Sequence, residues 1–92
     1  MDLSKVLASS LRQRILRELS KTSEIRVMRL VSKLNTAYNE LNRNLALLEK
    51  EGLVIDEYQV KVKHGKVRVI SLNRDNPNSK LLLTILKTLD NV

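Results

Sequence analysis

The stretch from Leu34 to Val54, LNTAYNELNRNLALLEKEGLV, constrains the fold more than any other. At 3.6 residues per turn, Ala37, Leu41, Leu45 and Leu48 fall within one arc of a helix over residues 36–51. Asn39, Asn42, Arg43, Ala46 and Lys50 fall on the opposite side. One face is therefore apolar and seeks a core, while the other is built from amides and cations. A helix that is merely solvated more often carries Glu and Lys there. An asparagine amide can make two hydrogen bonds to an adenine edge, and an arginine can do the same with guanine. The bland alternative is a surface helix that happens to be rich in Asn. Gly52, placed directly after the helix, suits a left-handed cap that ends it.

Beyond Gly52 the hydrophobic period changes from 3.6 to 2. Val54, Tyr58, Val60 and Val62 alternate with Ile55, Glu57, Gln59 and Lys61, which is strand periodicity rich in β-branched residues. Lys63-His64-Gly65-Lys66 reads as a hairpin tip, and Val67, Val69 and Ser71 alternate with Arg68, Ile70 and Leu72 on the return strand. Lys61, Lys63, Lys66 and Arg68 surround the tip, with no acid between Tyr58 and Leu72. Lysines can guard a sheet edge against aggregation. Four cations with no acid are more than that needs, and they point to contact with a nucleic acid.

Upstream, Leu3, Val6 and Leu7 form a short apolar stripe, and Ser9 or Ser10 can cap the next helix. Leu11, Ile15, Leu16 and Leu19 give the inward face of that helix, which runs to Ser20. Arg12, Arg14 and Arg17 lie outside it and read as a solvated face, with phosphate or dimer contact as the other reading. Ser23 is the expected N-cap of a helix from Ile25 to Leu34, with Val27, Leu30, Val31 and Leu34 buried, Met28 at the edge, and Arg26, Arg29 and Lys33 outward. Asn35 or Thr36 then caps the Asn-rich helix. Two short helices joined by such a tight turn, the second with a polar outward face, make a helix-turn-helix pattern.

Residues 73–78 are loop-like. Asn76 as N-cap and Pro77 at the first helical position start a last helix. Leu81, Leu82, Ile85, Leu86 and Leu89 crowd one face of it, and Leu83 lies nearly opposite Ile85. So much apolar surface after a finished small domain suggests a second copy of the chain as partner. Leu82, Ile85, Leu86 and Leu89 are the expected dimerisation residues; the alternative is that this helix folds back on its own domain. The expected division is a DNA-binding domain over residues 1–74 and a dimerisation helix over 75–92.

Composition narrows the partners. The chain of 92 residues has 17 Lys and Arg against 10 Asp and Glu, a formal net charge of +7, which favours a polyanion. Tyr38 and Tyr58 are its only aromatic residues, too few for a protein that binds single strands by base stacking. No apolar run approaches the ~20 residues that span a bilayer, and no signal peptide opens the chain. A soluble, cytoplasmic and nucleoid-associated protein is expected, with no membrane partner. Without cysteine there is no disulfide or thiolate metal site. Catalysis would need a positioned base, nucleophile or metal. His64 stands alone, Asp56 and Glu57 point to opposite faces of a strand, and there is no phosphate-binding glycine loop, so an enzyme is not expected.

Two segments carry a family resemblance: Ser10-Leu11-Arg12-Gln13-Arg14-Ile15-Leu16, and Asn44-Leu45-Ala46-Leu47-Leu48-Glu49-Lys50-Glu51-Gly52-Leu53-Val54. Over Leu11 to Leu72 the chain resembles winged helix-turn-helix regulators of the ArsR and MarR type. It looks closer still to small archaeal winged-helix DNA-binding proteins whose last helix forms an antiparallel coiled-coil dimer. The resemblance implies a mainly α fold with a small β-hairpin (α+β), a winged helix-turn-helix with a C-terminal dimerisation helix. It implies base reading near Tyr38, Asn39, Asn42 and Arg43, with Lys50 flanking. It places the wing, with Lys61, Lys63, His64, Lys66 and Arg68, on the DNA backbone or minor groove. With no cysteine and one histidine, metal sensing of the ArsR kind is not expected. The last helix is shorter than the dimer helices that frame the MarR ligand pocket, so neither a small-molecule effector nor a cofactor is expected. The expected function is a homodimeric, sequence-specific regulator bound to double-stranded DNA. A sequence-neutral architectural protein and a protein-interaction winged helix are the alternatives.

Overall fold

The computed structural model describes residues 2–63 and 65–91. Its elements in chain order are α1 (Leu3–Leu7), α2 (Ser10–Ser20), β1 (Ile25–Arg26), α3 (Val27–Leu34), α4 (Tyr38–Lys50), β2 (Val54–Lys61), β3 (Gly65–Leu72) and α5 (Pro77–Asp90). The expected α+β architecture is thus present. Local chemistry explains most boundaries. The Ser9 hydroxyl accepts from the Arg12 amide at 3.2 Å and so starts α2. The Asn76 side chain accepts from the Asn78 amide at 2.9 Å, with Pro77 behind it, and so starts α5.

The end of α4 is a Schellman motif. The Gly52 amide donates to the Glu49 carbonyl and the Leu53 amide to the Leu48 carbonyl, both at 2.9 Å. Gly52 sits at φ +75, where a side chain is strained, and a Cβ there would lie 3.0 Å from Asn76 Nδ2. The Gly52 carbonyl accepts from both Asn73 and Asn76 side chains at 2.9 Å, joining the α4 exit to the entry of α5.

Two boundaries differ from the sequence reading. Ile25 and Arg26 are not the first turn of a helix. They form a short strand that pairs antiparallel with Ile70 and Val69, so the hairpin gains a third strand in the order β1-β3-β2. α3 starts only at Val27, with Arg26 as N-cap and no capping side chain, and Ser23 caps nothing. The physical reason is non-local. Burial of Ile25 against β3 outweighs whatever one more helical turn would contribute, and local periodicity does not report it. Nor does Asn35 or Thr36 cap α4. Asn35 ends α3 in the left-handed region at φ 50, and the exposed Ala37 is the N-cap of α4, outside the buried arc expected for it.

The core is one cluster. Ile15, Leu16 and Leu19 of α2 meet Leu30 and Leu34 of α3, Leu41, Leu45 and Leu48 of α4, Leu53 just before β2, and Ile70 of β3. Each such side chain contributes roughly 1.5–3 kcal/mol on burial. α5 joins the same cluster. Leu82 and Leu86 are 0 % and 1 % exposed, whereas Leu81 and Leu89 are 45 % and 52 % exposed. This redraws the expected pairing face, because Leu82 and Leu86 fill the chain's own core and are not open to a second copy. Arg17 clamps Asp90 with Nε and Nη2 at 3.0 and 2.7 Å, holding the far end of α5 against α2.

Candidate nucleic-acid interface

α4 turns Leu41, Asn44, Leu45 and Leu48 inward, which leaves Asn39, Arg43, Ala46 and Lys50 exposed and Asn42 half-buried. Asn44 belongs to the core margin. Its Oδ1 accepts from Arg12 Nη1 at 2.9 Å, and its Nδ2 donates to the Glu40 carbonyl at 2.8 Å. Asn39, Asn42 and Arg43 share the outer side, with Tyr38 at the helix start. Arg43 pairs with Glu40 one turn back, but its side chain is 75 % exposed. A surface pair of that kind is worth about 0–1 kcal/mol, so Arg43 is free to exchange it for another acceptor.

The β2–β3 ladder fixes which side chains face this helix. Its register sets Tyr58 opposite Arg68 and Asp56 opposite Ile70, so Asp56, Tyr58 and Arg68 share one face. Arg68 grips Asp56 through Nε at 2.8 Å and Nη2 at 2.5 Å. Its Nη1 crosses to α4, donating to the Tyr38 hydroxyl at 3.1 Å and to Asn42 Oδ1. Asp56 and its carboxylate bonds raise the Arg68 pKa above its ordinary value. The Asn42 amide and then Arg68, both donating toward the phenol oxygen, lower that of Tyr38. Arg68 is therefore not the free cation that its place near the hairpin tip suggested. It is a strut between the hairpin and α4.

No protein-family model matches the chain, and no curated protein matches it. Solved structures do. A transcriptional regulator homologue from Pyrococcus horikoshii OT3 superposes with a TM-score of 0.79 at 19 % identity, over 97 % of this chain and 88 % of that one. A possible transcriptional regulator from Methanosarcina mazei Go1 superposes with a TM-score of 0.64 at 12 % identity, over 97 % of this chain and 77 % of that one. At such identities the likeness is one of fold. The fold is a winged helix-turn-helix. α3 and α4 are its two helices, β2 and β3 its wing, and β1 the short strand that completes the sheet.

The wing cations divide between two faces. Lys66 lies on the α4 side, its Nζ 4.9 Å from the centre of the Tyr58 ring, a cation–π contact beside the exposed Val60. Lys61 lies on the far face, 4.0 Å from Glu24. Lys63 is exposed at the tip, and His64 lies outside the described residues. The far face also carries an open cleft of about 650 Å³, lined by Lys21, Arg26, Arg29, Lys33 and Lys61 with Glu18 and Glu24. Its three lysines are already paired with those two glutamates at 3.5 to 4.0 Å.

Other arginines have structural partners that the sequence reading missed. Arg12 donates to the carbonyls of Lys5 and Val6 at the end of α1, at 2.6 and 3.2 Å. Arg14 donates to the Leu34 carbonyl at the end of α3, at 2.5 Å. Arg74 reaches the carbonyl of Leu19 in the last turn of α2 and that of Thr22 just beyond it, at 3.4 and 3.3 Å. The last carbonyls of a helix lack intrahelical donors and carry the negative end of its dipole, so cations settle there. The signal for Arg68 was present in the hairpin register, since pairing Tyr58 with Arg68 brings Asp56 onto the same face; the others required the tertiary arrangement. Among the described residues no three His, Cys, Asp or Glu side chains gather as a metal site, and no helix is long and apolar enough to cross a membrane.

Proposed function

We propose that this protein is a homodimeric regulator of transcription that binds double-stranded DNA in a sequence-specific way, with α4 in the major groove. The observation that carries the reading is the outer side of α4. Asn39, Asn42 and Arg43, types that pair with base edges, stand together beside a wing carrying Lys63 and Lys66. Tyr38 and Lys50 flank them. The naming of both similar structures as transcriptional regulators supports the same reading. In this mechanism the lysines bind phosphates, supply most of the affinity and make it salt-dependent. The α4 side chains choose the sequence. The protein is then a binder rather than a catalyst, and it works in the cytoplasm wherever the chromosome lies.

The dimer is proposed through α5 on a revised face. Leu81, Ile85 and Leu89 recur at helical spacing and remain partly exposed once Leu82 and Leu86 are in the core. A two-fold pairing there would present two recognition helices to one face of a duplex.

In vitro selection of bound duplexes from a random pool tests the reading. Enrichment of an inverted repeat, with half-sites about one helical turn or ~34 Å apart, is the expected result. Binding without enrichment and with a steep salt slope would make the protein architectural. No binding at low salt would leave it a protein-interaction module.

A further inference from the structure

We infer that Arg68 fixes Asn42 as a hydrogen-bond donor, so that α4 selects acceptor-bearing base edges, guanine above all, and does not use Asn42 for the two-bond asparagine–adenine pair. This rests on the DNA-reading role proposed for α4 and concerns what that helix selects.

The constraint begins with the guanidinium, which has five N–H donors and no acceptor. Among the described residues four of the five are engaged, two on Asp56, one on the Tyr38 oxygen and one on Asn42. The amide atom of Asn42 that meets Arg68 must therefore be Oδ1. The alternative amide orientation would set N–H against N–H. Arg68 cannot readily follow Asn42 elsewhere, because its pair with Asp56 is 15 % and 13 % exposed on the two sides and is held by two bonds. An adenine pair needs both Oδ1 and Nδ2 turned to the groove, Oδ1 to accept from N6 and Nδ2 to donate to N7. With Oδ1 turned to the wing, the group left for a base is the Nδ2 hydrogen that is not turned to the Tyr38 oxygen.

Neighbouring groups have the same polarity. The Tyr38 oxygen already accepts from Arg68 at 3.1 Å, which leaves its O–H to donate outward. Arg43 offers only N–H groups. Tyr38, Asn42 and Arg43 thus form a donor array. Guanine matches it best, with N7 and O6 side by side as acceptors. Adenine sets a donor beside its N7, and cytosine offers a donor. Asn39 differs. Its side chain is exposed and has no hydrogen-bond partner among the described residues, so it keeps both atoms for an adenine.

The test compares duplexes selected from a random pool by the native protein and by Asn42→Ala. The position whose preference disappears in the variant is the one Asn42 reads. The expected base there is guanine, and replacing it with 7-deazaguanine, which lacks the N7 acceptor, should weaken native binding by ~10-fold. Arg68→Met, which frees Oδ1, should move the preference toward adenine at that position alone, and Arg68→Lys, still a pure donor, should retain guanine. If Arg68→Met does not fold by circular dichroism, the 7-deazaguanine result with native protein decides. Adenine at that position, with binding lost when its N6 amine is removed, would overturn the inference and leave the DNA-reading role standing. So would the absence of any position that depends on Asn42. Failure to bind any duplex at low salt would remove the DNA-reading role and this inference together.

Discussion

Arg68 and Asp56 form a diagonal pair across the two strands of the wing and meet through two parallel hydrogen bonds, of 2.8 and 2.5 Å. The pair is largely shielded from water, and the same guanidinium continues onto Tyr38 and Asn42 of α4. One arginine thus ties the wing to α4 by polar contacts, beside the core that they share. Asp56→Ala leaves that cation with its main partner gone. Breaking a buried pair typically costs about 3–5 kcal/mol, and this pair, being partly exposed, should fall near the lower end. Urea denaturation should show the loss. A change under about 1 kcal/mol would mean that water replaces the carboxylate and that the strut is unimportant.

Arg43 and Lys63 should separate base reading from phosphate contact. Arg43→Ala should cost about 1–3 kcal/mol at the selected site and relax the preference at one position. Lys63→Ala should weaken binding to all duplexes alike and lower the slope of log K against log salt by about one. Titrations by fluorescence anisotropy at several salt concentrations distinguish the two. Equal binding of the selected site by Arg43→Ala and native protein would remove Arg43 from the reading face.

On α5, neighbouring leucines should behave oppositely. Leu86→Ala should destabilise the fold by about 2–5 kcal/mol, since it opens a cavity in the core. Leu89→Lys, at a site 52 % exposed, should leave the monomer's unfolding midpoint nearly unchanged. If α5 pairs as proposed, Leu89→Lys should shift the protein from dimer to monomer in sedimentation equilibrium. A native protein that is monomeric at all concentrations would refute the pairing.

Gly52→Ala should cost about 1–2 kcal/mol, because φ +75 strains any side chain. The added Cβ also meets Asn76 Nδ2 at 3.0 Å, so the start of α5 should loosen as well. Thermal unfolding measures the first effect. Faster amide hydrogen exchange in the first turn of α5 reports the second. Unchanged exchange there would show that Asn76 moves aside at no cost.

How much of this was legible in the sequence depended on the range of the interaction. The inward faces of α2 and α4, the Gly52 stop, the hairpin and the Asn76-Pro77 start come from spacing and capping, which are settled by residues within a turn or two of each other. Those local rules determined the α+β fold class and placed Asn39, Asn42 and Arg43 on one side of α4. They could not place Ile25, whose extended conformation depends on a partner strand far along the chain. Nor could they tell which leucines of α5 face inward, since the helix carries apolar residues over a wide arc and only its docking against α2 selects Leu82 and Leu86. The cations were the least legible of all. An arginine arm is long, and its destination is whichever acceptor the finished fold brings within reach. For Arg12, Arg14 and Arg74 that acceptor is a helix end, and for Arg68 it is Asp56. Periodicity built α4; the tertiary structure decided which of the surrounding charges it keeps free.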